Sequence, residues 1–435
     1  MTYDEMQIQG RTADEIVASV RSLVAAGRLR SGDPLPAVRQ LALTLGINRN
    51  TAAAAYRRLN EVGLARSAGR RGTRISPPPS LGEQEGASVD TALVDLADGN
   101  PDRDCLPDIN RVIHACDFKH SLYGESTFNS ALRRYAAAWF DEDCPGDADI
   151  LVTHGCVDAI ERLAQARLVP GDRVAVEDPC FLGTINALRL SAMHAVGVAV
   201  DAEGIQPEAL RQTLRGGARA VLLTARAQNP TGFSMSRERA AAIAAVLGEH
   251  PDVMVIVDDH FALLANTDYH APIPSTTGSW AVIRSLAKPV GPDIRVALLA
   301  CDRTTGERLR TRLAPGMTWV SHFLQTLAIS CLEDPQVKTL LAESKIQYAT
   351  RREAMQAALQ HVGFASPLTT DGLNVWIPLS CDPSAVVNAM ARRGWLVRAS
   401  TAFEVSQQSR AIRVTTSRLS PPEAERFAAA LAEAI

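Results

Sequence analysis

The chain has 435 residues, of which 46% are hydrophobic and 21% charged, with 45 Lys and Arg against 48 Asp and Glu for a formal charge of −3. That length carries two or three domains, each with its own core, and the balance excludes a disordered or collagen-like chain. No apolar run reaches membrane-spanning length, the polar start MTYDEMQIQG predicts no signal peptide, and eight scattered cysteines without a CxxC pair fit reduced thiols in a cytoplasmic protein rather than a metal site.

The charge is uneven. Residues 1–76 hold twelve Arg, no Lys and six Asp or Glu, for +6, and the remaining 33 basic and 42 acidic residues carry −9. A basic end on an acidic protein points toward nucleic acid. In chain order, Thr12 is placed to cap a helix in which Ile16, Val17, Val20, Leu23 and Val24 recur at helical spacing, stopped by Gly27. After the turn GDPLP, AVRQLALTLG predicts a short second helix with Val38, Leu41, Ala42 and Leu45 inward and Gly46 closing it. INRNTAAAAYRRLNEVG predicts a third, capped at Asn48, with Ala54, Ala55 and Leu59 packing. Two short helices joined by about three residues make a helix-turn-helix, and LARSAGRRGTRI, with strand-like ends around a glycine-rich turn, suits a wing.

In such a unit the first residues of the motif's second helix meet base edges in the major groove. Here those are Asn48, Arg49, Asn50 and Thr51. Arginine pairs with guanine and asparagine with adenine. Arg39, Arg70, Arg71 and Arg74 are expected at phosphates. A bundle used only for packing would need neither the polar cluster nor the basic wing. The run LPAVRQLALTLGINRNTAAAAYRRLNEVGL, with GRRGT after it, resembles the winged helix-turn-helix of the GntR family, with Ala52 where that family often has Val.

The stretch SPPPSLGEQEGASVDT is rich in Pro, Ser, Gly and Glu and lacks hydrophobic periodicity, so it reads as a linker, stiff at its proline end. The expected boundaries are a DNA-binding domain at 1–76, a linker at 77–92 and a large module at 93–435.

From about residue 150 the pattern alternates strand and helix. Strands are expected at 173–177, 195–200, 219–225, 253–259, 280–286 and 296–301, with helices such as 157–168 and 237–250 between them. Alternation of this kind predicts a mostly parallel sheet covered by helices, whose ligands bind at the carboxyl ends of the strands. Chemically informative residues follow those strands. Lys288 comes after WAVIRSL, and a lysine amine forms a Schiff base with an aldehyde cofactor. Ser285 and Arg295 flank it and suit a phosphate. Asp258 ends VMVIVDD, where a carboxylate can hold a protonated pyridine nitrogen. Gly155, in THGCVDAI, opens a helix whose N-terminus suits an anion. Asn229, in AQNPTG, and Phe181, in EDPCF, sit on turns after other strands.

Taken singly, each is an ordinary surface lysine, capping aspartate or turn. In the order Gly155, Phe181, Asn229, Asp258, Lys288, Arg295 they resemble the fold type I pyridoxal phosphate enzymes of the class I/II aminotransferase family, over nearly all of residues 95–435. The resemblance implies an α/β fold with a smaller C-terminal α/β subdomain and pyridoxal 5'-phosphate as cofactor. It implies that Lys288 attaches the cofactor, Asp258 pairs with the ring nitrogen, Asn229 bonds the ring oxygen and Phe181 stacks on the ring. It gives the phosphate to Gly155, Cys156, Ser285 and Arg295, and has Tyr123 reach the phosphate of the partner subunit. Arg413, in AIRVTTSR, would clamp a ligand carboxylate. Three positions depart from the family: Phe261 replaces a usual tyrosine, Val157 a common glutamine and Ala287 a common second serine. None of the three prevents cofactor binding, but together they weaken the case for efficient transamination.

A GntR-type head on an aminotransferase-like body resembles the MocR subfamily of bacterial transcriptional regulators, and the motifs are most like those of a member associated with vitamin B6 salvage. The resemblance implies a homodimer, paired or palindromic half-sites in operator DNA, and a small-molecule effector. The effector is expected to be pyridoxal phosphate itself, with no catalytic residue assigned. Two alternatives stay open: a regulator sensing an amino compound held by Arg413, and a working aminotransferase with an accessory DNA-binding head.

Overall fold

The structure, a computed structural model, describes residues 8–30, 32–61, 64–67, 72–75, 85, 92–313, 319–364 and 371–435. The chain divides into two compact units, Met1–Gly82 and Glu83–Ile435. No helix among the described residues is long and apolar enough to cross a membrane.

The first unit has three helices, Ala13–Ala25, Val38–Leu45 and Arg49–Glu61. Thr12 caps the first by accepting from the Glu15 N–H, and Gly46 ends the second in the left-handed conformation. The Asn48 side chain accepts from the Asn50 N–H at 2.8 Å, which satisfies one of the free donors at the start of the third helix. Ile16, Val20, Leu41, Ala52, Ala55, Tyr56 and Leu59 form the core. Ala54, expected inside, is only half-buried; Ala52 and Tyr56 take that face instead, one turn apart. Tyr56 reaches the Pro36 carbonyl with its hydroxyl, an anchor invisible to a pattern search for apolar residues. Strands Ala65–Ser67 and Thr73–Ile75 pair antiparallel as the wing.

In the second unit eight strands form one sheet, in the order Asp149–Thr153, Ala297–Cys301, Trp280–Ser285, Met254–Asp258, Ala220–Thr224, Arg173–Asp178, His194–Asp201, Gly204–Ile205. The run from Trp280–Ser285 to His194–Asp201 is parallel. Ala297–Cys301 runs against both its neighbours, so one strand of the expected parallel set is reversed. The central strands are buried on both faces, which explains their unbroken Val, Ile, Leu and Ala content. One face packs Leu132, Phe140, Ile243, Phe261 and Leu298; the other packs Ile160, Leu163, Val176, Ile256 and Leu299. The smaller C-terminal subdomain has a three-stranded sheet, Asn374–Pro378, Ala411–Thr415 and Arg398–Ala399, with Ala411–Thr415 in the middle. It packs against Pro335–His361, Pro383–Arg392 and Pro421–Ala432 through Met355, Leu359, Val375, Val386, Val414 and Phe427.

A charged cluster lies in the larger core. Asp259 accepts two bonds from Arg226, at 2.8 and 2.7 Å, and one from Arg284 at 3.0 Å. Arg284 is fully buried, with its guanidinium over the rings of Trp139 and Phe140 at 4.8 and 4.7 Å. Because Asp259 follows Asp258 directly, this pairing fixes the end of the strand on which Asp258 stands.

Candidate functional site

The carboxyl ends of five strands converge on one cavity of about 140 Å³. Its lining includes Gly155, Cys156, Phe181, Asn229, Asp258, Ser285 and Lys288, which lie at or shortly after strand ends, and Arg295, which lies just before the reversed strand Ala297–Cys301. Of the ten ligand-site residues expected in this unit, those eight share the cavity. Sequence reasoning did not single out Thr224 or His260, which also line it; the run Asp-Asp-His after a buried strand was the available signal for His260.

One end of the cavity is built for an anion. Gly155 precedes the helix Cys156–Arg167 with φ +91, a backbone angle that glycine adopts without strain. Arg295 stands against it, with guanidinium atoms 3.7–3.9 Å from where a Cβ on Gly155 would lie. Arg295 itself has φ +47, an unfavourable conformation for a side-chain-bearing residue that the surroundings must enforce. The free N–H groups of a helix start, an arginine and the Ser285 hydroxyl together favour a phosphate.

The other end holds an incompletely satisfied carboxylate. Asp258 is 4% exposed, and its Oδ1 has no hydrogen-bond partner. Burial, outweighing the bonds from Cys156 and the His260 N–H and reinforced by the charge of Asp259, pushes Asp258 up to about 7. His260 cannot neutralise it: burial, with Lys288 and Arg226 nearby, pushes that imidazole down to about 3. A protonated ring nitrogen would supply the missing donor, so the residues present fit pyridoxal phosphate at both ends. The Lys288 amine is held down by burial first and then by the positive charge of Arg413, against Glu85 and Asp98. A lowered lysine is the nucleophilic form. Its Nζ donates to the Gly99 carbonyl at 2.6 Å.

Asn229 is positioned from below. Glu177 accepts from Thr224 N, Thr224 Oγ1 and Gln228 Nε2 at 2.7, 2.8 and 3.1 Å, which ties down the turn that carries Asn229. Arg413, on the middle strand of the subdomain, is 0% exposed. Its Nη1 donates to Asn229 Oδ1 at 3.0 Å and its Nη2 to the Ala97 carbonyl at 2.6 Å, and the Phe403 ring lies 5.0 Å below the guanidinium. Phe261 is buried in the core beneath the sheet, outside the cavity lining. Tyr123 is elsewhere: it is 89% exposed and pairs edge-on with Trp319 beside an open cavity of about 810 Å³.

In the first unit Arg39, Asn48, Arg49 and Asn50 are exposed and Thr51 is half-buried; all but Arg39 lie at the start of the third helix. Arg74, expected at phosphates, is half-buried and donates to the Gly32 carbonyl at 2.7 Å, which fastens the wing to the 32–35 segment. Arg70 and Arg71 lie outside the described residues.

The aminotransferase class I and II family matches residues 91–431, and the gntR family of bacterial regulatory proteins matches residues 12–75. The chain is 47% identical over 429 residues to the vitamin B6 salvage pathway transcriptional repressor PtsJ of Salmonella typhimurium, covering 98% of this chain and 99% of that one. It is 29% identical to the pyridoxine biosynthesis transcriptional regulator PdxR of Corynebacterium glutamicum, over 56% of this chain and 55% of PdxR. Among solved structures it is similar to the kynurenine aminotransferase of Pyrococcus horikoshii, at 20% identity and a TM-score of 0.72, over 79% of this chain and 91% of that one. The chain belongs to the aminotransferase class I and II family and carries a GntR-type head, the architecture of MocR-type regulators.

Proposed function

We propose that this member of the family is a transcriptional repressor of vitamin B6 salvage genes whose grip on operator DNA is set by pyridoxal phosphate. The observation that carries the reading is the pair Lys288 and Asp258. A depressed amine and a buried carboxylate with an unused acceptor face one cavity, in a chain that begins with a DNA-reading head. The kinship to a vitamin B6 salvage repressor over nearly the whole chain supports the same reading.

When bound, the cofactor supplies an aldehyde that a lysine amine can attack and a ring nitrogen that takes a proton. The chain's own residues do the rest. Lys288 would offer its amine, Asp258 would hold a proton against the ring nitrogen, and Asn229 would orient the ring oxygen. Phe181 covers one ring face. Gly155, Cys156, Ser285 and Arg295 hold the phosphate. Phe261 brings no hydroxyl to the cavity, which suits a sensor that need not turn over a substrate. A ligand shifts a regulator only through its different affinity for two arrangements, so the connecting segment at 77–92 must carry the change from body to head. Exposed Leu122, Tyr123 and Phe323 favour a homodimer, in which Tyr123 reaches the partner subunit's cavity and two heads read paired half-sites through Asn48, Arg49, Asn50 and Thr51.

The test is operator affinity of the cofactor-free full-length protein, with and without pyridoxal phosphate, at fixed salt. The wild type should change affinity on cofactor addition, and Lys288→Ala should lose that response while still binding DNA. An equal response in both proteins would refute the mechanism.

A further inference from the structure

The carboxylate clamp of the body is filled from within. Glu85 lies near the start of the second unit, in the stretch with the composition of a linker, yet its Oε1 lies 2.5 Å from Arg413 Nη1 and accepts from Asn229 Nδ2 at 3.3 Å. The glutamate side chain is 17% exposed and the arginine 0%. Gly99 makes the room: a Cβ there would stand 1.7 Å from Glu85 Oε1. On the far side of Gly99, its carbonyl takes the bond from Lys288. Guanidinium, amide, aromatic ring and bare glycine backbone thus form a receptor for one carboxylate, and a side chain of the same molecule sits in it.

We propose that Glu85 is a specificity-determining residue, an internal carboxylate that closes the site to α-amino acids and leaves it open to pyridoxal phosphate and to amines without a carboxylate. This rests on the cofactor-sensing reading above and names the ligand class that it admits. An amino acid joined to the cofactor in place of Lys288, whose amine would be released, would bring its carboxylate to Arg413, and so would first have to expel Glu85. A tethered competitor acts at an effective concentration on the order of millimolar, and charge-assisted bonds to a buried arginine are the strong kind. A ligand without a carboxylate pays none of this cost. The fit of Glu85 is incomplete: its Oε2 and the Arg413 Nε are buried without partners. The occupant is therefore displaceable rather than locked.

The test titrates L-alanine and ethylamine calorimetrically into the full-length protein loaded with pyridoxal phosphate. The proteins are the wild type, Glu85→Ala and the near-isosteric Glu85→Gln. The wild type should bind ethylamine more tightly than alanine. Removing the charge should strengthen alanine roughly tenfold or more, as the loss of a competing bond to a charged group implies, and leave ethylamine unchanged. Three results would overturn the proposal: alanine unchanged in both variants, alanine and ethylamine strengthened alike, or a wild type that already binds alanine as tightly as ethylamine. The last needs no variant to fold. Operator affinity of the same wild-type protein, with and without pyridoxal phosphate, tests the underlying reading separately, since that response can fail whichever way the amine titrations fall.

Discussion

Asp258→Asn isolates the cost of the buried carboxylate. In the folded chain Asp258 titrates at about 7, and in the unfolded chain an aspartate titrates near ~3.9. The folded value is the higher, so between the two the folded state keeps a proton that the unfolded state has released, and stability falls as pH rises through that window. Worked from the two titration curves, the burden on the folded state grows from roughly 2 kcal/mol at about pH 5.5 to roughly 4 kcal/mol at about pH 8. Asparagine does not titrate, so the variant's advantage over the wild type should widen by roughly 2 kcal/mol between those conditions. Glu177, also pushed up to about 7 by burial first and in part by the charge of Asp258, titrates in both proteins, so its burial cost cancels in the difference and only its coupling to Asp258 does not. All five tryptophans, at 139, 280, 319, 376 and 395, lie in the body. Their fluorescence during urea unfolding of the full-length, cofactor-free protein therefore reads the body alone. Pyridoxal phosphate should then stabilise the wild type more at the higher pH, where the ionised carboxylate gains its missing donor, and the variant less. A gap between the two proteins that stays flat with pH, or equal stabilisation of both by the cofactor, would refute the assignment of Asp258.

Removing Asp259 should be costly. Asp259→Ala removes the counter-charge of buried Arg226 and leaves buried Arg284 with Asp143 alone, and should destabilise the body by about 3–5 kcal/mol in the same urea assay. In the head, Arg49→Ala should cost about 1–3 kcal/mol of operator binding and relax discrimination at one base pair, read by fluorescence anisotropy on single-site operator variants. Arg39→Ala should weaken all sequences alike and lower the salt slope of binding by about one.

The periodic elements were legible because each is dictated locally. The strands at 173–177, 253–259 and 280–286 are apolar runs bounded by turn residues, and they lie within a residue or so of the strands observed. The reversal of Ala297–Cys301 was not legible, since a strand's direction depends on which neighbour it pairs with, and its own residues are silent on that. Ala54 was misplaced for a similar reason. In the run of four alanines at 52–55 nothing distinguishes the buried face until Tyr56 and Leu59 are seated. The cavity residues were legible as a set because nearly all of them follow strands, and strand ends share one edge of the sheet; Arg295 instead precedes the reversed strand Ala297–Cys301. Glu85 was not. Its surroundings have the composition of a solvated linker, and its partner Arg413 is 328 positions away along the chain.

That contact changes what the clamp means for function. Arg413 alone argues for a ligand with a carboxylate, and hence for amino acid chemistry. Arg413 with Glu85 argues the opposite, because the buried guanidinium already has its counter-charge. The residues proposed to hold a cofactor, from Gly155 to Arg295, share one cavity, while Phe261 brings no hydroxyl to it and Glu85 occupies the clamp. On the proposed reading, a site of this kind responds to occupancy by the cofactor itself. Occupancy is also the quantity a repressor of cofactor salvage has to measure.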